Sequence, residues 1–382
     1  LFDEIKEVIG EHSNVEFIKE FAMLADSLEN DDKLRELKMI VKMQELGISL
    51  EYRCPYCCDC SSCRNASETE RVSLCEEAED QAIRDSVRID FEKKKITCVL
   101  PLRGKEEDFL SNNRDVALKI LNSQCKKVQN DEEAKKAVIK SFKKLFDGNY
   151  ARKLSDLTEE QRKLIASKPV QNYLPWRVVH KASVSTPCRT VMDGSSRTPL
   201  LQNGKGGRCL NDLTVKGKVN SLNLLNMLLR FVIGPVGFAG DLKQFYTSIG
   251  LDESQWNLQH VLWKDNLDLD AEVVELIITS LIFGVRAVSG LSERAVIMLV
   301  EYIRPTNPRL ADLLILARFV DDLADSEMSL ELNKAADELF KSVGWECKGW
   351  SFSWSAPHPD VTNDGISLDV GGMVWWPLID AM

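Results

Sequence analysis

The sequence predicts an α+β fold on three observations. Long stretches repeat their apolar residues at helical spacing, as Val116, Ala117, Ile120 and Leu121 do. Short stretches alternate apolar and polar residues, as residues 87–92 and 95–102 do around a charged turn. Two short apolar runs, 238–240 and 313–320, climb into carboxylates at Asp241 and at Asp321–Asp322. Both runs are short enough to read as buried strands ending on acids.

In chain order, residues 1–50 read as helices. Ile5, Val8, Ile9, Phe17, Ile18, Phe21, Ala22 and Leu24 set the first stripe, and Leu34, Leu37, Ile40, Val41 and Met43 the second. Cys54, Cys57, Cys60 and Cys63 then make three successive C-x-x-C steps. Each step suits two thiolates on one metal, as in a zinc knuckle. No long loop separates two pairs, so an iron–sulfur cluster and unmetallated thiols stay open beside zinc. A short acidic helix begins near Ser73, and the two alternating strands follow it.

Residues 113–151 read as one long helical pattern, with Ala137, Val138, Phe142, Leu145 and Phe146 continuing the apolar stripe. Lys126, Lys127, Lys135, Lys136, Lys140, Lys143 and Lys144 surround it as a solvated face, or as a face toward phosphates. Residues 174–181 and 187–198 read as two strands, the second ending in an Asp-Gly-Ser turn. Gly204-Lys205-Gly206-Gly207 lacks the order of a phosphate-binding P-loop and is set aside. Helices are predicted over 221–231, 293–303 and 330–343.

The chemistry sits in the acids. Asp241 lies 80 residues before Asp321. An isolated Asp-Asp pair is most simply a solvated turn or cap. Three acids at the ends of two strands can instead converge on a hard-oxygen site of the kind magnesium prefers. Two such ions can activate a 3′-hydroxyl and stabilise leaving pyrophosphate.

Residues 238–249, with an aromatic five positions after Asp241, resemble motif A of reverse transcriptases, and Phe319-Val320-Asp321-Asp322 resembles their motif C. The wider context, roughly residues 52–377, resembles the Pao/BEL group of long-terminal-repeat retrotransposon polyproteins. Their Cys-rich stretch and Leu-Asn-Asp element have counterparts here at residues 54–63 and 210–212.

The resemblance implies a right-hand polymerase with fingers and palm, the palm an antiparallel sheet backed by helices, behind a helical, Cys-rich N-terminal extension. Residues 1–66 are then a helical linker and Cys cluster, 67–235 the N-terminal extension and fingers, and 236–382 the palm, with a fingers insertion near 250–284. Thumb and ribonuclease H are expected to be absent. The implied activity is RNA-directed DNA polymerisation with Mg2+ or Mn2+. Asp241 and Asp321 bridge the metals and Asp322 is the weaker ligand.

The same resemblance implies the roles of single residues: Lys181 and Arg189 would meet the incoming triphosphate, which the planar guanidinium fork of Arg189 suits. Leu242 also lines the nucleotide. Tyr246 is the steric gate against a 2′-hydroxyl, with Phe245 as the neighbour easily taken for it. Gly284, in a motif B-like stretch, lets backbone approach the nucleotide. Ser289 stands where many relatives have Pro. Lys348, four residues after Gly344, is the candidate to protonate the leaving pyrophosphate, with an ordinary surface Lys as the alternative. Gly371 and Gly372 form the turn that grips the primer. Implied partners are an RNA template, a DNA primer, deoxynucleoside triphosphates, and protease, ribonuclease H and integrase parts of the polyprotein.

Composition bounds these expectations. The chain has 382 residues, 44% of them hydrophobic, and a net charge of −10. Residues 126–230 hold 21 Lys and Arg against 9 Asp and Glu, a local +12 that leaves −22 for the rest. One basic surface on an acidic body follows. The 11 Cys, an odd number, without a signal sequence, argue against a disulfide framework and for a reducing setting. The expected location is intracellular and cytoplasmic, in a retrotransposon particle. No apolar run reaches the length of a membrane span. The opening residues, with no initiator Met, suggest an internal piece of a longer chain. Two other classes remain: a catalytically inactive nucleic-acid- or zinc-binding fragment, and an RNA-dependent RNA polymerase. Tyr246 argues against the latter.

Overall fold

The computed structural model describes residues 74–180, 188–217, 222–233, 236–326, 330–355, 357, 367–370 and 373–377. Apart from Leu74 and Cys75, these belong to one compact unit, Glu76–Met382. The elements in order are α1 (Leu74–Asp85), β1 (Val87–Asp90), β2 (Lys95–Cys98), α2 (Glu106–Phe109), α3 (Arg114–Val128), α4 (Glu132–Asp147), β3 (Ala151–Lys153), α5 (Glu159–Ala166), β4 (Trp176–His180), β5 (Cys188–Met192), α6 (Leu210–Leu213), α7 (Leu222–Ile233), β6 (Phe238–Leu242), β7 (Ile249–Leu251), β8 (His260–Lys264), β9 (Val273–Ile278), α8 (Val288–Ile303), α9 (Pro308–Leu316), β10 (Arg318–Phe319), β11 (Asp322–Asp325), α10 (Leu330–Lys341), β12 (Cys347–Phe352), β13 (Leu368–Val370) and β14 (Met373–Trp375). The architecture is mixed α+β with small sheets. Among the described residues no helix is long and apolar enough to cross a membrane.

Local chemistry explains the helix ends. The long helical pattern of 113–151 divides in two because the Asp131 side chain accepts from Ala134 N–H and caps α4, with Glu132 and Glu133 favouring its positive N-terminus. Ala134, Val138, Phe142 and Leu145 form the buried stripe of α4. Phe142 stacks on Trp263 of β8 at 4.1 Å between ring centroids. Thr158 and Gln161 form a reciprocal capping box at the start of α5.

The run 313–320 is not the strand its composition predicts. Residues 313–316 belong to α9, which Asn307 caps by accepting from Leu310 N–H, with Pro308 in the first turn. Only Arg318 and Phe319 are extended before the acids. The Asn-Pro start overrides the strand-like composition, because Leu310, Ala311, Leu313 and Leu314 then bury together at helical spacing. Likewise α8 begins at Val288 rather than near Glu293. The sequence-predicted strands 87–92 and 95–102 and the hairpin 174–198 are present as β1–β2 and β4–β5, both antiparallel.

The central sheet has the order β10-β11-β6-β12, antiparallel throughout. Phe238, Leu242 and Leu323 join the main core. Ala239 and Ala324, on the other face, join a second cluster with Met227, Phe231 and Trp375. Helix α7 and the β13–β14 hairpin therefore cover that second face. Gly240 leaves room for the Trp350 ring, which a Cβ would meet at 2.6 Å. Buried residues on both sides of position 235, from Trp176 and Met192 to Leu242 and Ile282, belong to the one main core.

A buried polar network holds β8 and β9 to the segment before β4. His260 Nδ1 lies 2.8 Å from Glu275 Oε1, and its Nε2 lies 2.8 Å from Gln171 Oε1. The Tyr173 hydroxyl donates to Glu275 Oε1 at 2.8 Å. Burial pushes the Glu275 carboxyl up, but hydrogen bonds and charge from His260, then Tyr173 and Arg114, outweigh it and hold the group below its usual range. A carboxylate depressed in the folded state stabilises it above the unfolded Glu value, about 4.3. That contribution is lost as pH falls through the depressed value. Urea unfolding at stepped pH should show this acid loss in the native chain and a shallower one in Glu275→Gln. Equal slopes would show that the network contributes nothing.

Candidate active site

The antiparallel register places Asp241 of β6 directly opposite Asp322 of β11. Leu242 N–H donates to Asp321 O at 2.9 Å, which makes Asp241 and Asp322 a non-hydrogen-bonded pair. In such a pair the Cα atoms approach to about 4.5 Å and the two side chains leave the same face. Strand alternation puts both carboxylates on the face of Ala239 and Ala324. Asp321 sits in the two-residue turn between β10 and β11, where Phe319 pairs with Asp322. Asp241 and Asp322 thus face each other at one strand end, with Asp321 in the adjoining turn.

The turn is strained. Val320 has φ +59, a region that a β-branched residue rarely enters. Arg318 explains why the strain persists. Its guanidinium is 1% exposed, its Nη1 donates to Val320 O at 2.7 Å, and its Nη2 bonds Glu293 of α8 at 2.5 Å. A buried guanidinium, paired with the half-buried Glu293, therefore holds the carbonyl of the strained residue.

The electrostatics are those of crowded acids. Burial raises the Asp241 carboxyl against the lowering effect of Lys348. Burial, then the charge of Asp241, raises Asp321, while Lys348 and Arg189 act in the opposite sense. Lys348 Nζ donates to Asp241 Oδ2 at 2.5 Å. Asp241 Oδ1 is buried without a hydrogen-bond partner. An orphaned carboxylate oxygen of this kind fits a cation. The donor set is all oxygen, as magnesium requires, and magnesium commonly takes one or two carboxylates and completes its shell with water and substrate phosphates. Among the described residues no group of three or more His, Cys, Asp or Glu side chains is arranged to hold an ion by itself. The ammonium of Lys348 occupies one position that an ion could take.

The remaining sequence-predicted residues divide clearly. Arg189 is exposed on β5, and its charge acts on Asp321. Tyr246 packs edge-on against Phe283 at 4.7 Å. Burial, then the charge of Asp321, pushes its phenol up to about 12. Phe245 is buried and packs on Trp345 at 5.1 Å, so Tyr246 is the aromatic on the acid side. Leu242 requires correction: its side chain is 1% exposed in the core and its N–H is given to Asp321, so neither is presented to a nucleotide. Strand alternation turns it away from the face that carries Asp241. Lys181, Cys54, Cys57, Cys60, Cys63, Gly371 and Gly372 lie outside the described residues.

Gly284 has φ +103, and a Cβ there would meet Met192 O at 1.7 Å. Backbone meets backbone at this point, so nothing nearby can yield cheaply. Asn211, in the Leu-Asn-Asp element, ties the same place together. Its Nδ2 donates to Gly284 O and to Ser195 Oγ, both at 3.0 Å, and its Oδ1 accepts from Arg286 N–H at 2.7 Å. The turn after β5 and the loop before α8 are thus joined through one amide. Gly284→Ala should lower both the Tm and, by about 10²-fold, any activity of the site, a scale typical of displaced positioning groups. Full retention of both would show that the loop is not held as described.

Sequence reasoning missed two residues. Arg318 was visible as a cation inside an apolar run beside two acids. Asn211 carried only its place in a shared element. Asp193 pairs with Arg177 across the β4–β5 hairpin at 2.6 Å, and Arg197 donates to Gly207 O at 3.2 Å.

No family model matches the chain. No curated protein matches it. Among solved structures it is similar to one described as the foamy viral protease-reverse transcriptase dRH in complex with ds DNA. That alignment has TM-score 0.39 and 16% identity, and it covers 56% of this chain and 30% of that one. The chain thus spans less than a third of the length of that structure.

Proposed function

We propose that this chain carries the fingers and palm of an RNA-directed DNA polymerase of the Pao/BEL retrotransposon type. The supporting observation is the register of Asp241 against Asp322, with Asp321 in the adjoining turn and a buried Asp241 oxygen left without a partner.

In this reading Asp241 and Asp321 would hold Mg2+ or Mn2+, with Asp322 beside them. The ions, when bound, supply activation of the primer 3′-hydroxyl and charge stabilisation of the pyrophosphate. The chain's own residues do the rest. Lys348, which pairs with Asp241, would carry a proton toward a leaving phosphate oxygen. Arg189 presents an exposed guanidinium that stays charged and can fork onto phosphate oxygens. Tyr246 keeps a neutral phenol and sets a ring beside the acids, where a ribose 2′-hydroxyl would collide. Asn211 and Gly284 hold the loop against which the nucleotide would stack. Template-directed transfer then depends mainly on positioning and electrostatics.

The partners proposed are an RNA template, a DNA primer, deoxynucleoside triphosphates and the other polyprotein parts. The setting proposed is an intracellular retrotransposon particle. Zinc at Cys54, Cys57, Cys60 and Cys63 belongs to the same proposal.

One observation favours a second reading, a nucleic-acid-binding fragment that does not polymerise: Lys348 fills part of the acid site. Primer extension on an RNA template with magnesium or manganese separates them. Extension with deoxynucleotides supports polymerisation, and none with either metal supports the second reading. Tyr246→Ala should cut the preference for deoxynucleotides over ribonucleotides by about tenfold or more, the scale of one lost steric contact. An unchanged preference would remove Tyr246 as the gate.

A further inference from the structure

Tyr246 rises from a tight turn. Gln244 takes φ +51 there, Ser248 N–H donates to Gln244 O at 3.0 Å, and Ile249 N–H donates to Tyr246 O at 3.1 Å. The turn fixes the backbone of Tyr246. It does not fix the ring, which is half-buried and whose staggered rotamers point it to different places.

Two contacts restrict the ring, and both come from one segment. Phe283 meets its body in a T-shaped pair, at 4.7 Å between centroids and 71° between planes. The Ser289 hydroxyl hydrogen-bonds the phenol at its tip. A ring contact and a hydrogen bond at opposite ends leave the side chain little freedom, and the hydrogen bond adds a direction that apolar packing lacks.

The segment that supplies both contacts is itself tied down. Met192 N–H donates to Phe283 O at 3.3 Å. Asn211 donates to Gly284 O and accepts from Arg286 N–H. Ser289 lies in the first turn of α8, and one turn further on Glu293 bonds Arg318. The charges of Asp321, Arg318 and Glu293 all act on the phenol, so this end of α8 faces the acids through Tyr246. Phe283 has little to do with the core. It is 53% exposed and belongs to neither core cluster. Among the described residues its ring contact is the one to Tyr246.

We propose that Phe283 and Ser289 are positioning residues for the gate: they hold the Tyr246 ring in the rotamer that meets the sugar, and so set the preference for deoxyribose over ribose. The inference rests on the polymerase reading and deepens it. Both residues act through Tyr246, without touching the nucleotide.

Primer extension by the full chain, with KM and kcat measured for deoxynucleotides and for ribonucleotides, tests this. Phe283→Ala and Ser289→Ala should each cut the preference for deoxynucleotides about fivefold, the scale of one lost contact. The loss should appear mainly as a lower KM for ribonucleotides. Phe283→Tyr and Ser289→Thr, which keep the ring and the hydroxyl, should retain the preference. In a Tyr246→Ala background neither alanine change should have a further effect, because residues that act through one ring do not add. Unchanged preference in either single variant overturns the proposal. So does full additivity with Tyr246→Ala, which would mean that the residues act on the nucleotide by themselves. A fluorinated-tyrosine NMR signal, assigned by its loss in Tyr246→Phe, reads the ring without catalysis. It should move toward the free amino-acid value in the double variant Phe283→Ala, Ser289→Ala, and an unmoved signal also overturns the proposal. Absence of extension by the native chain removes the polymerase reading instead, and the NMR signal then still decides whether the two residues hold the ring.

Discussion

Asp321→Asn should abolish primer extension while making the metal-free protein more stable. The two effects share one cause. Asp321 is buried beside Asp241, and both burial and that neighbouring charge raise its carboxyl above the usual range. Above that range the ionised group opposes folding, and an amide of the same shape removes the opposition. Activity should fall by about 10²–10³-fold or more, the scale for a preorganised electrostatic group in a site of this kind. Magnesium sharpens the comparison. A ligand that binds only the folded protein stabilises it by about 2.7 kcal/mol at one hundred times its Kd. The native chain should therefore gain Tm with added magnesium, and the variant should gain much less. Differential scanning calorimetry with and without the ion reads both signs. A variant that extends primers, or that gains as much from magnesium as the native chain, would remove Asp321 from the site.

The second large effect is on folding. Arg318→Met should destabilise the protein by up to about 3–5 kcal/mol, the loss for a fully buried ion pair and an upper bound here because Glu293 is 24% exposed. Glu293 would keep its charge with its bidding cation gone, and Val320 O would lose its donor. For a domain of this size the Tm should drop by up to roughly 6–20 °C. The double change Arg318→Met, Glu293→Gln should recover part of that loss, because no uncompensated charge remains. The same double variant should still be impaired in extension, since the strained Val320 turn that presents Asp321 has lost its anchor. A single variant with an unchanged Tm would show that the pair does not hold the turn.

Much of the secondary structure was legible along the chain. Periodicity located α3, α4, α7 and α10, and alternation located the β1–β2 and β4–β5 hairpins. The errors have definite causes. The break between α3 and α4 lies in one capping residue, Asp131, within an otherwise continuous stripe. The strand expected at 313–320 became the end of α9 because Asn307 and Pro308 start a helix whose apolar positions the core can bury. Leu242 was expected at the nucleotide, yet its side chain is buried in the core, because adjacent strand residues face opposite ways.

The amino-acid sequence by itself determined the inventory of the candidate site, whose roles remain proposals: three carboxylates, a lysine, an arginine on a hairpin and an aromatic five residues after Asp241. It did so because residue type and short-range spacing are local properties. Only the tertiary structure decided that Asp241 lies opposite Asp322, that Lys348 reaches Asp241, that Arg318 pins the Val320 turn, and that Asn211 joins two loops. These depend on the register of strands distant in sequence, and a one-residue slip would turn each carboxylate to the other face. Register is selected by the whole core at once, through partners such as Trp350 over Gly240 and the Ala239–Ala324 face under α7, which no local pattern contains.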